Sequence, residues 1–179
     1  EKAVAFGRAK AELSFVDVRV PVANRIGDEG SGFIALMQGF VSERIYLAFL
    51  GHATAQVALN DALAYVKERE AFGRPISKFQ VTRHKLAKMA TKVLASRTLN
   101  YALAQRMEAG ESPVAEVAMA KNFAADVAME VTYEAVQLFG GMGYMRETRV
   151  ERLSRDARLL PIGGGTSEVM NDLVARWHL

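Results

Sequence analysis

Leu36, Phe40, Glu43, Leu47, Leu50, Thr54 and Val57 follow one another at steps of three and four. That spacing puts them on one face of a helix and obliges the face to bury itself against a partner. The helix is expected from Phe33 to about Arg69, where Gly73 and Pro75 of AFGRPISKFQ break it. A second helix is expected from Ser77 to Ala109, through Leu86, Met89, Ala90, Val93 and Leu94, with Gly110 ending it. Ser112-Pro113 opens a third, whose stripe runs Val114, Val117, Lys121, Ala124, Ala128, Val131, Ala135 and Leu138 before FGGMGY closes it. A short helix over Thr148 to Ala157 and a last one over Ser167 to His178 complete the set. Long amphipathic helices with short connections predict an all-α four-helix bundle, and abundant alanine suits close helix approach.

Ahead of the helices, residues 11 to 20 (AELSFVDVRV) read as a strand ended by Pro21, with Leu13, Phe15 and Val18 or Val20 turned inward. One strand makes no sheet. The expected division is therefore 1–31 as the remnant strand and loop of a largely missing β domain, and 32–179 as the bundle. The chain opens at Glu1, as expected of a processed, truncated or excised segment.

The 179 residues are half hydrophobic and include no cysteine, so thiolate metal sites, disulfides and a cysteine nucleophile are excluded. His52, His84 and His178 are not at metal-ligand spacing, and no metal is expected. His84 reads as a helix-surface residue. A net charge of +3 suits an anionic ligand without pointing to nucleic acid. No apolar run long enough for a membrane span is read from the sequence. Arg146, Arg149, Arg152, Arg155 and Arg158 recur at every third position, but Glu151–Arg155 and Arg152–Asp156 can pair along the helix, which makes a solvated face.

Glu43 interrupts its apolar stripe. A carboxylate buried there would gain the raised pKa of a general base; alternatively it pairs with Lys121, which interrupts the third helix's stripe in the same way. Arg44 is either a ligand-phosphate contact or a surface charge. Gly140, Gly141 and Gly143 follow a helix rather than a strand, which rejects a Rossmann fingerprint and suits a helix C-cap. Gly163-Gly164-Gly165-Thr166-Ser167 leads into a helix, where glycines admit a ligand to the backbone and Thr166 or Ser167 can cap.

Seven stretches occur in one order: ELSFVDVRVP with GDEGSGF, SERIYLA, YVKEREAFGRPISKFQ, AVQLFGGMGYM, RLSRDARLLPI and GGGTSEVM. In that order and spacing the chain resembles the C-terminal part of the acyl-CoA dehydrogenases. The resemblance implies an FAD enzyme that converts an acyl-CoA to its trans-2-enoyl-CoA, with α-proton abstraction and β-hydride transfer to the flavin. In many members a catalytic Glu precedes the Gly-Thr-Ser of the last loop; here that position is Gly164. The subgroup that includes isovaleryl-CoA and long-chain enzymes carries its base in a Glu-Arg pair of the first bundle helix, which resembles Glu43-Arg44. The resemblance thus implies Glu43 as base and the Gly164 N–H as a thioester-oxygen donor.

It further implies that Arg69, Phe72 and Gln80 contact the FAD of a neighbouring subunit, with Gln137, Gly140 and Gly141 near its ADP part. Thr166 and Glu168 would lie near the flavin nucleotide, and Arg44 near the CoA portion. A homodimer or homotetramer follows, with an electron-transfer flavoprotein as acceptor, in the cytoplasm or, in a eukaryote, the mitochondrial matrix. Gly163 and Gly164 would leave space for a bulky or branched acyl group. The isolated segment is expected to be inactive. Two other readings remain open at this point: a non-enzymatic self-association or DNA-associated module of the same fold, and an acyl-CoA oxidase.

Overall fold

The computed structural model describes residues 12–179, apart from the side chains of Gln38 and His178. Five α-helices carry the architecture: α1 (Gly32–Glu68), α2 (Gln80–Glu108), α3 (Val114–Phe139), α4 (Arg149–Ala157) and α5 (Ser167–His178). Helix α3 is the axis, packed along α1 and flanked by α2, α4 and α5. The expected helical bundle is the observed one.

The burial of α3 follows its sequence stripe. Val117, Lys121, Ala124, Ala128, Val131 and Ala135 are all buried. On α1 Thr54 is buried as expected, but the rest of the stripe lies one residue away from the expected one. Val41, Arg44, Ala48, Ala55, Leu59, Ala62 and Val66 are buried, whereas Leu36 and Glu43 are exposed and Phe40, Leu47, Leu50 and Val57 only partly covered. The reason is the small-residue contact between α1 and α3. A Cβ on Gly51 would stand 2.8 Å from the Ala124 carbonyl oxygen, so the backbones meet there and alanines line the seam. Bulky Leu47 and Leu50 flank that seam against Ala125, Ala128 and Leu160.

Helix α2 closes the other side with Met89 and Val93, and ion pairs Lys85–Glu134 and Lys92–Glu130 tie it to α3. Its inward face also holds Ser96 and Asn100. Asn100 Nδ2 donates to the Ala48 carbonyl and to His52 Nδ1, both at 2.9 Å. The α1–α2 connection contains a two-residue-per-strand hairpin, β1 (Glu70–Ala71) with β2 (Arg74–Pro75). Phe72 and Gly73 at its tip both have positive φ, the geometry of tight hairpin turns.

Three expectations are corrected. Residues 12–20 form no strand, and Leu13, Phe15, Val18 and Val20 are all exposed. Among the described residues no neighbouring strand is available to accept and donate ladder hydrogen bonds, without which a β-branched run has no sheet to join. The rest of the expected segment 1–31, residues 1–11, lies outside the described residues. On α4, Arg155 chelates Glu151 as expected, but Asp156 also faces Arg155, at 3.9 Å, rather than pairing with Arg152. Finally, α1 is long and apolar enough to cross a membrane by length and composition. The helix packs its alanine seam against α3.

Candidate active site

The Gly163–Gly165 turn sits between α4 and α5, against Arg44 and Leu47 of α1. Gly164 has φ +66° and Gly165 φ +107°, conformations that side chains adopt only with strain. Gly163 N–H donates to the Leu159 carbonyl at 2.9 Å. Downstream, the turn is held by two cations. Arg44 Nε donates to the Gly164 carbonyl at 3.1 Å, and Lys121 Nζ donates to the Gly165 carbonyl at 2.7 Å. Between these anchors, the Gly164 N–H has no acceptor among the described residues.

Arg44 is buried, with its guanidinium carbon 5.5 Å from the Phe40 ring centroid. Burial pushes its pKa down, with Glu43 partly opposing that. Glu43 itself is exposed. The inward charge of α1 is therefore Arg44, and the expected burial of Glu43 is corrected. The expected Glu43–Lys121 pair does not form either: Lys121 is only 1% exposed and takes a backbone carbonyl instead. Its pKa is pushed down, first by burial and then by the Arg44 charge.

Thr166 caps α5, its hydroxyl accepting from Val169 N–H at 3.4 Å. Glu168 is exposed; its own backbone N–H, and then the Thr166 hydroxyl, hold its carboxyl below the usual range. Asn122 Nδ2 donates to the Ser167 carbonyl, which fixes the first turn of α5 to α3. Space beside the glycines is smaller than expected. A Cβ on Gly164 would stand 2.5 Å from Leu47 Cδ1, while one on Gly163 would make only ordinary contacts. Leu47 fills the room at Gly164.

The remaining expected ligand residues gather elsewhere. Arg69, Phe72, Gln80, Gln137, Gly140 and Gly141 are exposed at the far end of α1 and the C-terminal end of α3. From Glu43 to Arg69 along α1 is about 39 Å at 1.5 Å per residue, too far for one dinucleotide to bridge within one chain. Phe72, Ile76, Phe79, Gln137 and Leu138 line a groove of about 380 Å³ there. Phe72 is 95% exposed, and a Cβ on Gly140 or Gly141 would meet nothing within 4 Å. An exposed ring and an open glycine backbone at this end of the bundle suit a flat heteroaromatic group joined to phosphates. Gly143, in contrast, is packed against the Val136 carbonyl and the Phe139 Cβ, so its glycine is a packing requirement.

Sequence reasoning found Glu43, Arg44, Gly164, Thr166 and Glu168, and the fold brings this group to one end of the bundle. It missed Leu47 as the residue filling the turn, and Asn122 as its neighbouring tether. Leu47 carried a signal, since it stands one turn after Glu43. The acceptors of Arg44 and Lys121 carried none, being backbone carbonyls more than forty residues away.

Known proteins resemble this chain in sequence and fold. A probable acyl-CoA dehydrogenase, YngJ, of Bacillus subtilis is 42% identical over 170 residues, covering 95% of this chain and 45% of that protein. A crystal structure of a probable acyl-CoA dehydrogenase from Mycobacterium abscessus superposes with TM-score 0.90 at 52% identity, over 93% of this chain and 44% of that one. A chain from a structure of the electron transferring flavoprotein of Acidaminococcus fermentans gives TM-score 0.90 at 45% identity, over 92% of this chain and 43% of its own. The chain thus spans less than half the length of these relatives. With the family model for the acyl-CoA dehydrogenase C-terminal domain matching residues 30–179, the chain belongs to the acyl-CoA dehydrogenase family and forms that domain.

Proposed function

We propose that this chain is the C-terminal part of an FAD-dependent enzyme that dehydrogenates an acyl-CoA thioester at its α and β carbons. One observation carries the reading at this site: among the described residues the N–H groups of Gly164 and Gly165 have no acceptor, in a turn anchored by Arg44 of the helix that also carries Glu43. An α C–H is weakly acidic, and negative charge gathers on the thioester oxygen as the proton leaves. A fixed backbone donor stabilises that charge, and glycine at 164 retains the donor.

Glu43 takes the α-proton. Its exposure in this segment leaves the carboxylate facing outward, where substrate and the remainder of a longer protein would cover it. FAD, when bound, supplies the acceptor for the β-hydrogen and its electron pair. Arg69, Phe72, Gln80, Gln137, Gly140 and Gly141 would hold the cofactor of a neighbouring subunit, while Thr166 and Glu168 would approach the cofactor of their own site. Their separation along α1 supports a homodimer or homotetramer with shared sites. The likeness to a chain from an electron transferring flavoprotein structure supports such a flavoprotein as the electron acceptor, and Arg44 beside the turn supports an approach of the CoA portion from that side. The expected compartment is the cytoplasm, or the mitochondrial matrix in a eukaryote.

The test is Glu43→Gln in the full-length, FAD-loaded protein. Anaerobic flavin reduction by acyl-CoA should fall by about 10²–10⁴-fold, the usual cost of removing a general base, with FAD content unchanged. Substantial remaining reduction would reject Glu43 as the base.

A further inference from the structure

Lys121 is among the largest fully buried side chains of the molecule. Its ammonium meets the Gly165 carbonyl, and among the described residues no carboxylate lies within ion-pair distance. A neutral amide would tether the turn at a lower desolvation cost, because a buried charge with one neutral acceptor is expensive. The next residue shows the cheaper device at work: Asn122 holds the Ser167 carbonyl with a plain amide at 3.0 Å. The charge at 121 therefore calls for an account beyond tethering.

Its surroundings supply one. Arg44 reaches the same turn from α1, with Nη2 3.9 Å from the place a Gly165 Cβ would occupy. Two cations from two helices thus take the carbonyls of two consecutive glycines, 164 and 165. Each carbonyl so engaged is turned into the protein, which fixes the 164–165 and 165–166 peptide units that follow Gly164. Upstream, Gly163 N–H is fixed on Leu159. Among the described residues the Gly164 and Gly165 N–H groups have no acceptor in this anchored turn, and Gly164 stands where the resemblance puts the thioester donor. The two buried cations on these carbonyls also provide a potential that favours negative charge at the turn, in a region where water screens weakly. The other charges around Lys121 are Asp126 on its own helix and Glu168 on α5, which oppose the downward effect of burial and Arg44 on its pKa.

We propose that Lys121 is a positioning residue for the reaction: its buried ammonium, paired with the Arg44 guanidinium, holds the glycine turn in the geometry and positive potential that let Gly164 polarise the thioester. This rests on the dehydrogenase reading above and names a further residue that serves its site. Lys121 touches neither substrate nor cofactor; it acts through Gly165.

The test uses the full-length, FAD-loaded protein with Lys121→Met, which keeps length and removes charge and donor, and Lys121→Gln, which restores a donor without charge. Glu43→Gln runs beside them, and its failure to slow flavin reduction would reject the dehydrogenase reading independently of Lys121. With that control slow, Lys121→Met should lower the rate of anaerobic flavin reduction roughly tenfold to hundredfold, the scale of a small misplacement of a reacting group. KM for acyl-CoA and FAD content should stay within about twofold, and solvent-deuterium exchange at the substrate α-carbon should slow in parallel. Lys121→Gln should recover part of the loss. A Lys121→Met rate within about threefold of the parent overturns the proposal, as does a loss confined to KM or FAD content. If Lys121→Met yields no folded protein, Lys121→Gln is judged by the same criteria. If neither folds, Lys121 serves folding alone and the proposal falls.

Discussion

Gly51 of α1 lies against Ala124 of α3 so closely that a Cβ on Gly51 would stand 2.8 Å from the Ala124 carbonyl oxygen and 3.0 Å from its carbonyl carbon. These are backbone atoms, and no side-chain rotation relieves the contact. Gly51→Ala should therefore push α1 and α3 apart. The expected destabilisation is about 1–3 kcal/mol, the range for overpacking a close-packed interior, although alanine is intrinsically the better helix former. Urea unfolding of the parent and the variant checks this; a more stable variant would show that the helices separate freely.

That contact also explains what could be read from the sequence and what could not. The α3 stripe was legible because valines and alanines alternate there with one conspicuous lysine, and both sides of that helix's seam are covered. On α1 the bulky residues suggested a stripe through Leu36, Phe40, Glu43 and Leu47, but the buried seam belongs to Ala48, Gly51, Ala55 and Ala62. Small residues mark close approach, while larger ones sit at its margins. The shift exchanged the roles of Glu43 and Arg44. The glycine turn was legible as a motif, yet its anchors were not, since a backbone carbonyl has no sequence signature. The strand expected before Pro21 failed for a related reason: β propensity acts only through a neighbouring strand.

His52 is buried between α1 and α2, with Nδ1 accepting from Asn100 Nδ2 at 2.9 Å and its ring 5.3 Å from that of Phe49. Burial lowers its pKa; the Ala48 carbonyl raises it partway and the Arg97 charge lowers it again. The unfolded chain therefore takes up a proton near the ordinary histidine pKa, about 6.5, while the folded chain resists. Stability present above that pH should be lost progressively as pH falls through the depressed folded value. Protonation at Nδ1 would also break the bond from Asn100. Urea midpoints measured between about pH 7.5 and 5 should fall for the parent, and His52→Gln should flatten that part of the slope. An unchanged slope in the variant would assign the acid sensitivity elsewhere.

Thr166 satisfies an otherwise open N–H at the start of α5 through its hydroxyl. Thr166→Ala should cost about 0.5–2 kcal/mol, the usual range for a lost N-cap, while Thr166→Ser should retain most of the stability. Because α5 is also tied to α3 through Asn122, the loss should appear in local hydrogen exchange of the α5 amides before it appears in α1. Exchange rising equally in both helices would mean that α5 unfolds only with the whole bundle.

The Leu47–Gly164 pair bears on where the proposed base can stand. Leu47 Cδ1 lies 2.5 Å from the position a Gly164 side chain would need, and Glu43 is one helical turn before Leu47. A carboxylate placed at 164 would reach the substrate from the turn rather than from α1, but Leu47 must first give way. The positive φ of Gly164 adds roughly 1–2 kcal/mol of strain for any side chain there. In the full-length, FAD-loaded protein, Glu43→Gln with Gly164→Glu should therefore recover little flavin reduction. Adding Leu47→Ala opens the space and should raise the rate at least about tenfold over that double variant, a barrier change of about 1.4 kcal/mol. Leu47→Ala alone should leave Glu43 in charge of the proton. If the triple variant is no faster than the double, the obstacle lies in the backbone of the turn rather than in the leucine beside it.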